Sequence, residues 1–277
     1  MIDHYENFPV ASILVPANIR PAVVNVYRFA RTADDIADEG NMDAEERRKK
    51  LSEFEQELNH IDQKSYKPND KLSKIFEPLS QTIKQHNLPI QPFKDLLAAF
   101  TQDTYVNRYA NNEELLSYCN LSANPVGVIM LSLFNKYNQE NLELSNAICT
   151  GLQLTNFWQD VSIDWLKNRV YLPLNAMQRH GVDESVIQSA SEGSLKVSEL
   201  NGWKSLMNEQ IEHARSMLIK GSPLGRKIGG RFGYELRIVV QGGLRILEKI
   251  ESIQYDVFNH RPVLNKYDWL RMILRAI

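Results

Sequence analysis

Apolar residues recur at intervals of three and four along most of the chain, and strictly alternating runs bounded by hairpin-turn residues are hard to find. The pattern predicts an all-α protein. A first helix opens at Pro21, where proline is tolerated at the first helical position, and closes at Gly40-Asn41. Val23, Val24, Val26, Tyr27, Phe29, Ala30, Ala33, Ile36 and Ala37 cover much of its circumference, which predicts burial. Charged amphipathic helices follow over 43–60 and 70–86, and Pro89 and Pro92 break the pattern ahead of a helix over 92–107. Asn111-Asn112 marks the next turn, a long apolar segment spans 113–137, and another helix runs from Asn141 to Asp164, with 167–173 as the loop after it. Short helices over 174–180 and 183–190, long ones over 199–220 and 224–251, and a last one over 264–276 complete the body. Glycines at 225, 229, 230, 233, 242 and 243 each cost about 1 kcal/mol against alanine in a helix, so close packing or a kink is expected there. No repeat, low-complexity segment or Pro/Gly/Ser-rich linker divides the chain, and a single domain over 1–277 is expected.

Two of these helices carry paired aspartates four residues apart: Asp34-Asp35-Ile36-Ala37-Asp38 and Asp160-Val161-Ser162-Ile163-Asp164. At helical spacing Tyr27, Arg31, Asp34 and Asp38 fall within an arc of roughly 60°, and Gln153, Asn156, Asp160 and Asp164 within roughly 80°. A single Asp-Asp-x-x-Asp run is commonly a solvated helix face. Two such runs in otherwise apolar helices are harder to explain by packing. Ionised carboxylates about 6 Å apart repel by roughly 3 kcal/mol at an effective dielectric near 20, and Arg31 offsets one charge at most. Mg²⁺ binds through one or two carboxylates and completes its octahedron with waters and substrate phosphates, which suits acidic faces on two helices. The pattern points to metal-assisted diphosphate chemistry.

Composition removes competing classes. The 277 residues are 43% hydrophobic and 24% charged with a formal net charge of -2, which fits a globular protein and leaves no basic footprint for nucleic acid. Cys119 and Cys149 lack metal-ligand spacing and the six histidines are scattered, which argues for a reducing compartment, core cysteines and no zinc site. No apolar run approaches the roughly 20 residues of a spanning helix and no signal-peptide order is visible, so a cytoplasmic location is expected. Trp269-Leu270-Arg271-Met272-Ile273-Leu274-Arg275 reads either as an amphipathic helix packed on the core or as peripheral membrane contact. Asp103 and Arg108-Tyr109 lie near a helix end, where a cap or ion pair is the expected role; Lys167 and Arg169 could meet a diphosphate or simply solvate a loop.

The runs Tyr27-Arg28-Phe29-Ala30-Arg31-Thr32-Ala33-Asp34-Asp35-Ile36-Ala37-Asp38 and Gln153-Leu154-Thr155-Asn156-Phe157-Trp158-Gln159-Asp160, with Asp164 and Asn168-Arg169-Val170-Tyr171, resemble the squalene and phytoene synthase family. The resemblance covers nearly the whole chain. It implies an isoprenoid synthase (terpenoid synthase) helical bundle around a central cavity. It implies further that Asp34, Asp38, Asn156, Asp160 and Asp164 hold Mg²⁺, with the four aspartates catalytic, and that His4, Phe8, Tyr27, Arg31, Gln153, Gln159 and Arg169 contact substrate. Within the family, His4–Ser12 and Ser122–Gly127 resemble the hydroxysqualene synthase branch, which implies conversion of presqualene diphosphate and water to hydroxysqualene, without nicotinamide, alongside pathway partner enzymes.

Two departures bear on the activity. Asn120 stands where the family's Tyr-Cys-Tyr segment carries a second phenol, and Gln159 replaces its common arginine. Losing a phenol and a cation fits an enzyme that receives the cyclopropyl intermediate ready made. The rival expectations are condensation of two prenyl diphosphates to presqualene diphosphate, dehydrosqualene or phytoene, and a non-catalytic helical scaffold.

Overall fold

The computed structural model describes residues 15–68 and 71–277. Among them are fourteen α-helices, and the only β-type pairing is an isolated parallel bridge between Arg108 and Val170. Among the described residues the contacts group the chain into two compact units: Asn107–Cys119 with Asn146–Ile277, and Val15–Val106 with Asn120–Ser145.

In the second of these, α1 (Arg20–Asp38) packs with α2 (Ala44–Asp62), α3 (Ser73–His86) and α4 (Gln91–Gln102). Phe29 lies at its centre, with ring centroids 6.0 Å from Phe54, 5.8 Å from Phe76 and 5.6 Å from Phe93. Edge-on and tilted aromatic contacts of this kind add to the burial of four large side chains, and they fix α1 against three neighbours at once. Asp43 caps α2 by accepting from the Glu46 amide.

The apolar segment over 113–137 is not one helix. It divides at Ala123 into α5 (Asn112–Ser122) and α6 (Asn124–Leu133), because Pro125 in the first turn of α6 has no amide hydrogen to continue the ladder. The stretch Asn112–Leu133 is long and apolar enough to cross a membrane by length and composition, contrary to the expectation that no such run exists; half of it is buried within the protein.

In the other unit, α7 (Gln139–Gln159) contributes its second half, followed by α8 (Val161–Leu166), α9 (Leu174–Arg179), α10 (Glu184–Ser191), α11 (Asn201–Gly221), α12 (Pro223–Ile228), α13 (Gly230–Ser252) and α14 (Lys266–Arg275). The expected helix over 224–251 is broken at Gly229 and Gly230, whose φ values of 65° and 61° lie in the left-handed region that favours glycine. The helix expected to reach Asp164 is instead interrupted at Asp160, between α7 and α8. Close approach positions α7: a Cβ on Gly151 would stand 2.9 Å from Leu218 Cγ and 3.0 Å from the Leu218 backbone nitrogen of α11. Trp158 and Trp203 are fully buried, and the Trp203 indole N–H donates to the Tyr255 carbonyl at 2.9 Å. Cys119 is also fully buried, and burial pushes its thiol up to about 12, whereas Cys149 is only partly buried and departs from the expected core role.

Candidate active site

The first acidic face belongs to the last turns of α1. Tyr27, Arg31, Asp34, Asp35 and Asp38 are all partly buried rather than enclosed. Arg31 spans two of the carboxylates, with Nη1 3.0 Å from Asp34 Oδ2 and Nη2 2.7 Å from Asp35 Oδ1. The helix is therefore less enclosed on this side than its apolar count suggests, since the Asp34 and Asp35 side chains keep 36% and 44% of their exposure. Solvent and Arg31 together relieve the repulsion between them.

The second face begins on α7, where Gln153 is half-buried and Asn156 exposed, and passes through Asp160 to Asp164 on α8. Leu154, Thr155, Phe157, Trp158 and Gln159 are buried on the rest of the helix, so four polar residues share one accessible stripe beside a buried remainder. The Asp160 amide still donates to the Asn156 carbonyl, and the Asp164 amide to the Asp160 carbonyl, each at 2.9 Å. The interruption at Asp160 thus keeps the one-turn spacing of the stripe.

A segment formed by residues 257–262 straps this junction. Arg261 pairs with Asp160 through both carboxylate oxygens, at 2.6 Å from Nε and 3.1 Å from Nη2. Gln159, fully buried, donates from Nε2 to the Pro262 carbonyl at 2.5 Å, and Ser162 Oγ donates to the Val257 carbonyl at 3.4 Å. Gln159, expected among the substrate contacts, has its carboxamide turned into this packing. Arg261 was not expected from sequence. The signal for it is an omission: no Lys or Arg stands three or four residues from Asp160, so its counter-ion has to come from another element.

The loop after α8 is held by a second arginine. Arg108 Nε and Nη2 reach Glu184 at 2.6 and 2.9 Å, and Nη1 reaches the Asn168 carbonyl at 2.6 Å. Its guanidinium also stands over the Trp165 ring at 5.9 Å. The hydrogen bond from Arg108 holds the Glu184 carboxyl below its ordinary range despite partial burial. The Val170 amide donates to the Asn107 carbonyl at 3.0 Å, and Asn168 adopts a left-handed φ of 58°. This frame carries Arg169, which is partly buried. Beneath the loop, Tyr171 stacks on Phe157 with centroids 3.7 Å apart and planes within 8°. The ion-pair role expected for Arg108 is thus found, and its partners show that it also anchors the loop.

His4 and Phe8 lie outside the described residues. Among the described residues no three His, Cys, Asp or Glu side chains are grouped closely enough to hold a metal by themselves. The donors on each face are carboxylate and carboxamide oxygens, the chemistry that suits Mg²⁺, and an ion bound through one or two protein carboxylates does not require such a group.

A family model described as squalene/phytoene synthase matches residues 2–268. The chain belongs to the squalene/phytoene synthase family. That family acts on prenyl diphosphate substrates. Hydroxysqualene synthase from Zymomonas mobilis is 37% identical over 179 residues, covering 64% of this chain and 57% of that protein. Hydroxysqualene synthase from Rhodopseudomonas palustris is 32% identical over 251 residues, covering 89% and 80%. The crystal structure of squalene synthase HpnC from Alicyclobacillus acidocaldarius superposes with a TM-score of 0.81 at 31% identity, over 91% of this chain and 90% of that one. The fold is the all-α isoprenoid synthase fold.

Proposed function

We propose that this protein converts presqualene diphosphate and water to hydroxysqualene and diphosphate. The observation that carries the reading is the Rhodopseudomonas hydroxysqualene synthase, similar across nine-tenths of the chain, and the Zymomonas relative agrees with it. Asn120 and Gln159 support it too. The buried Gln159 carboxamide donates to the Pro262 carbonyl and supplies no cation where the family commonly has one.

On this reading Asp34 and Asp38 on α1, with Asn156, Asp160 and Asp164 on α7 and α8, would hold Mg²⁺. Their hard oxygen donors fit it, and carboxylate oxygens have lone pairs enough to face an arginine and a cation together. Bound there, the ion would supply Lewis-acid stabilisation of the charge that builds on the departing diphosphate. Arg31 lies on the first acidic segment and Arg169 beside the second, and each would add positive charge for a diphosphate held there. Arg31 exchanges its hold on Asp34 and Asp35 for substrate oxygens. Arg261 keeps Asp160 oriented, and Tyr27 and Gln153 line the hydrocarbon next to the diphosphate. The carbon–oxygen bond ionises, the cyclopropylcarbinyl cation rearranges, and a water molecule adds to the ring-opened cation and loses a proton.

The test is incubation of purified protein with presqualene diphosphate and Mg²⁺, followed by mass spectrometry of the extracted lipid. Hydroxysqualene is expected, and none should form after chelation. A second reading is kept because the Alicyclobacillus neighbour is described as a squalene synthase: condensation of two farnesyl diphosphates. Consumption of farnesyl diphosphate with release of presqualene diphosphate, and no turnover of presqualene diphosphate itself, would overturn the first reading in favour of this one.

A further inference from the structure

We propose that α14 docks the protein on an anionic lipid surface through an exposed apolar stripe. One side of the helix is committed to its own unit. Asp268 and Met272 are buried, Asp268 is bound by Arg245 Nε and Lys249 Nζ of α13, each at 2.6 Å, and Asn265 completes a capping box with it. The orientation of α14 is thus fixed, and so is what it turns outward.

That outward side is apolar. Tyr267, Leu270, Ile273 and Leu274 occupy an arc of roughly 120° on the helix, and Tyr267, Leu270 and Leu274 are 85%, 58% and 63% exposed. Ile277 extends the patch past the helix end, and Val263 stands exposed ahead of its start. Large apolar residues gathered on one side of a helix mark a contact surface, whereas scattered ones do not. Leu270, Ile273 and Leu274 also lie past residue 268, where the match to the family ends.

Charge identifies the occupant. Between Val257 and Ile277 the only acidic side chain besides Asp256 at its edge is Asp268, which is buried, while Lys266, one turn before Leu270 at the start of the stripe, and Arg271 and Arg275 beside it are exposed. Arg237 Nη1 donates to the Ile277 carbonyl at 3.1 Å, and Arg237 packs on Gly225 of α12, so the exposed Arg226 and Lys227 of α12 belong to the same region. Glu248 of α13 contacts Arg245 and Arg275 at 2.8 and 2.7 Å and Arg271 at 3.8 Å; one carboxylate meets three guanidinium groups. An exposed apolar stripe with cations on its flank is the composition of a helix lying in a lipid interface, its aliphatic side chains among acyl chains and its cations among phosphates. A second copy of this chain would bring the same cations against one another, which disfavours a self-association through this patch.

The experiment is flotation of the full-length protein with vesicles of phosphatidylcholine alone or containing phosphatidylglycerol. Binding is read without turnover, so it stands or falls independently of which prenyl diphosphate is converted. Phosphatidylglycerol vesicles should carry the protein to the top of the gradient, added salt should weaken the association, and Leu270→Asp/Leu274→Asp should lower the partition coefficient by about tenfold or more. Both leucines are exposed, and unchanged circular dichroism of the variant confirms its fold. Failure of the wild-type protein to bind anionic vesicles overturns the proposal. So does equal binding by the double variant. Light scattering that shows a dimer converted to a monomer by the same substitutions overturns it in favour of a second copy on the stripe.

Discussion

Asp160→Asn separates two accounts of the acidic stripe. Were Asp160 a carboxylate held against Asp164 by the fold alone, removing its charge would relieve a repulsion and stabilise the protein. The structure instead gives Asp160 a two-point pair with Arg261, at 2.6 and 3.1 Å, with 25% and 23% of the two side chains exposed. A hydrogen bond to a charged group contributes about 1.5–3 kcal/mol, and a fully exposed pair about 0–1. With roughly three-quarters of both side chains shielded, and a carboxamide still able to accept one hydrogen bond, a cost of about 1.5 kcal/mol is expected. In a protein of this size that lowers the thermal midpoint by roughly 3–5 °C. The decisive measurement is a double-mutant cycle with Arg261→Leu, by urea or thermal unfolding of the metal-free protein, and a coupling of about 1 kcal/mol is expected. A midpoint that rises in Asp160→Asn, together with a coupling near zero, would refute this account of the stripe. Product formation should fall at least about a hundredfold in the same variant, if Asp160 supports the departing charge as proposed.

Asp268→Asn removes one partner from a buried arrangement of two cations and a helix cap, and should cost about 3 kcal/mol in urea unfolding, with faster amide exchange across 265–275. Burial opposes ionisation of Asp268, but the Asn265 amide, Lys249 and Arg245 outweigh it and hold the carboxyl well below the ordinary range. Its contribution should therefore be complete above the unfolded carboxyl value of about 4 and be lost as pH falls below it. The Asn variant should show a flatter acid limb in stability against pH. Arg108→Leu should loosen the loop after α8, giving faster amide exchange at 168–170 and a higher KM for substrate, with a cost to stability of about 1–2 kcal/mol from the lost Glu184 pair.

Much of the fold was legible because its punctuation is local. Pro21 begins α1, Asp43 caps α2, Asp183 caps α10, and Gly40 and Asn87 lie just past helix ends in left-handed backbone, each a property of one residue and its near neighbours. The missed breaks at Ala123 and Asp160 leave the three-and-four spacing of apolar residues intact on either side, so periodicity does not register them. The break near 229 was signalled by its glycines, although not its exact residue. Each acidic stripe was readable from spacing, but the charges that answer it were only partly so. Arg31 stands one turn from Asp34 and Asp35 and is found by counting. Arg261 is 101 residues from Asp160, and nothing local links them. The extent of burial was also misjudged for α1, since an apolar majority sets which sides of a helix are covered and leaves open how far solvent reaches the remaining one.

The strap at 257–262 has a consequence for how the protein is made. Its ties to Ser162, Asp160 and Gln159 bridge 95, 101 and 103 residues, so all three close nearly the same loop. The entropy of closure falls on whichever forms first, and the other two follow with little further ordering. They should form together and be lost together. During synthesis, Asp160 leaves the ribosome well before Arg261 and must wait as an unanswered charge until α11, α12 and α13 have been made. The acidic stripe on α7 and α8 thus acquires its final geometry late, in one cooperative step governed by a part of the chain remote from it.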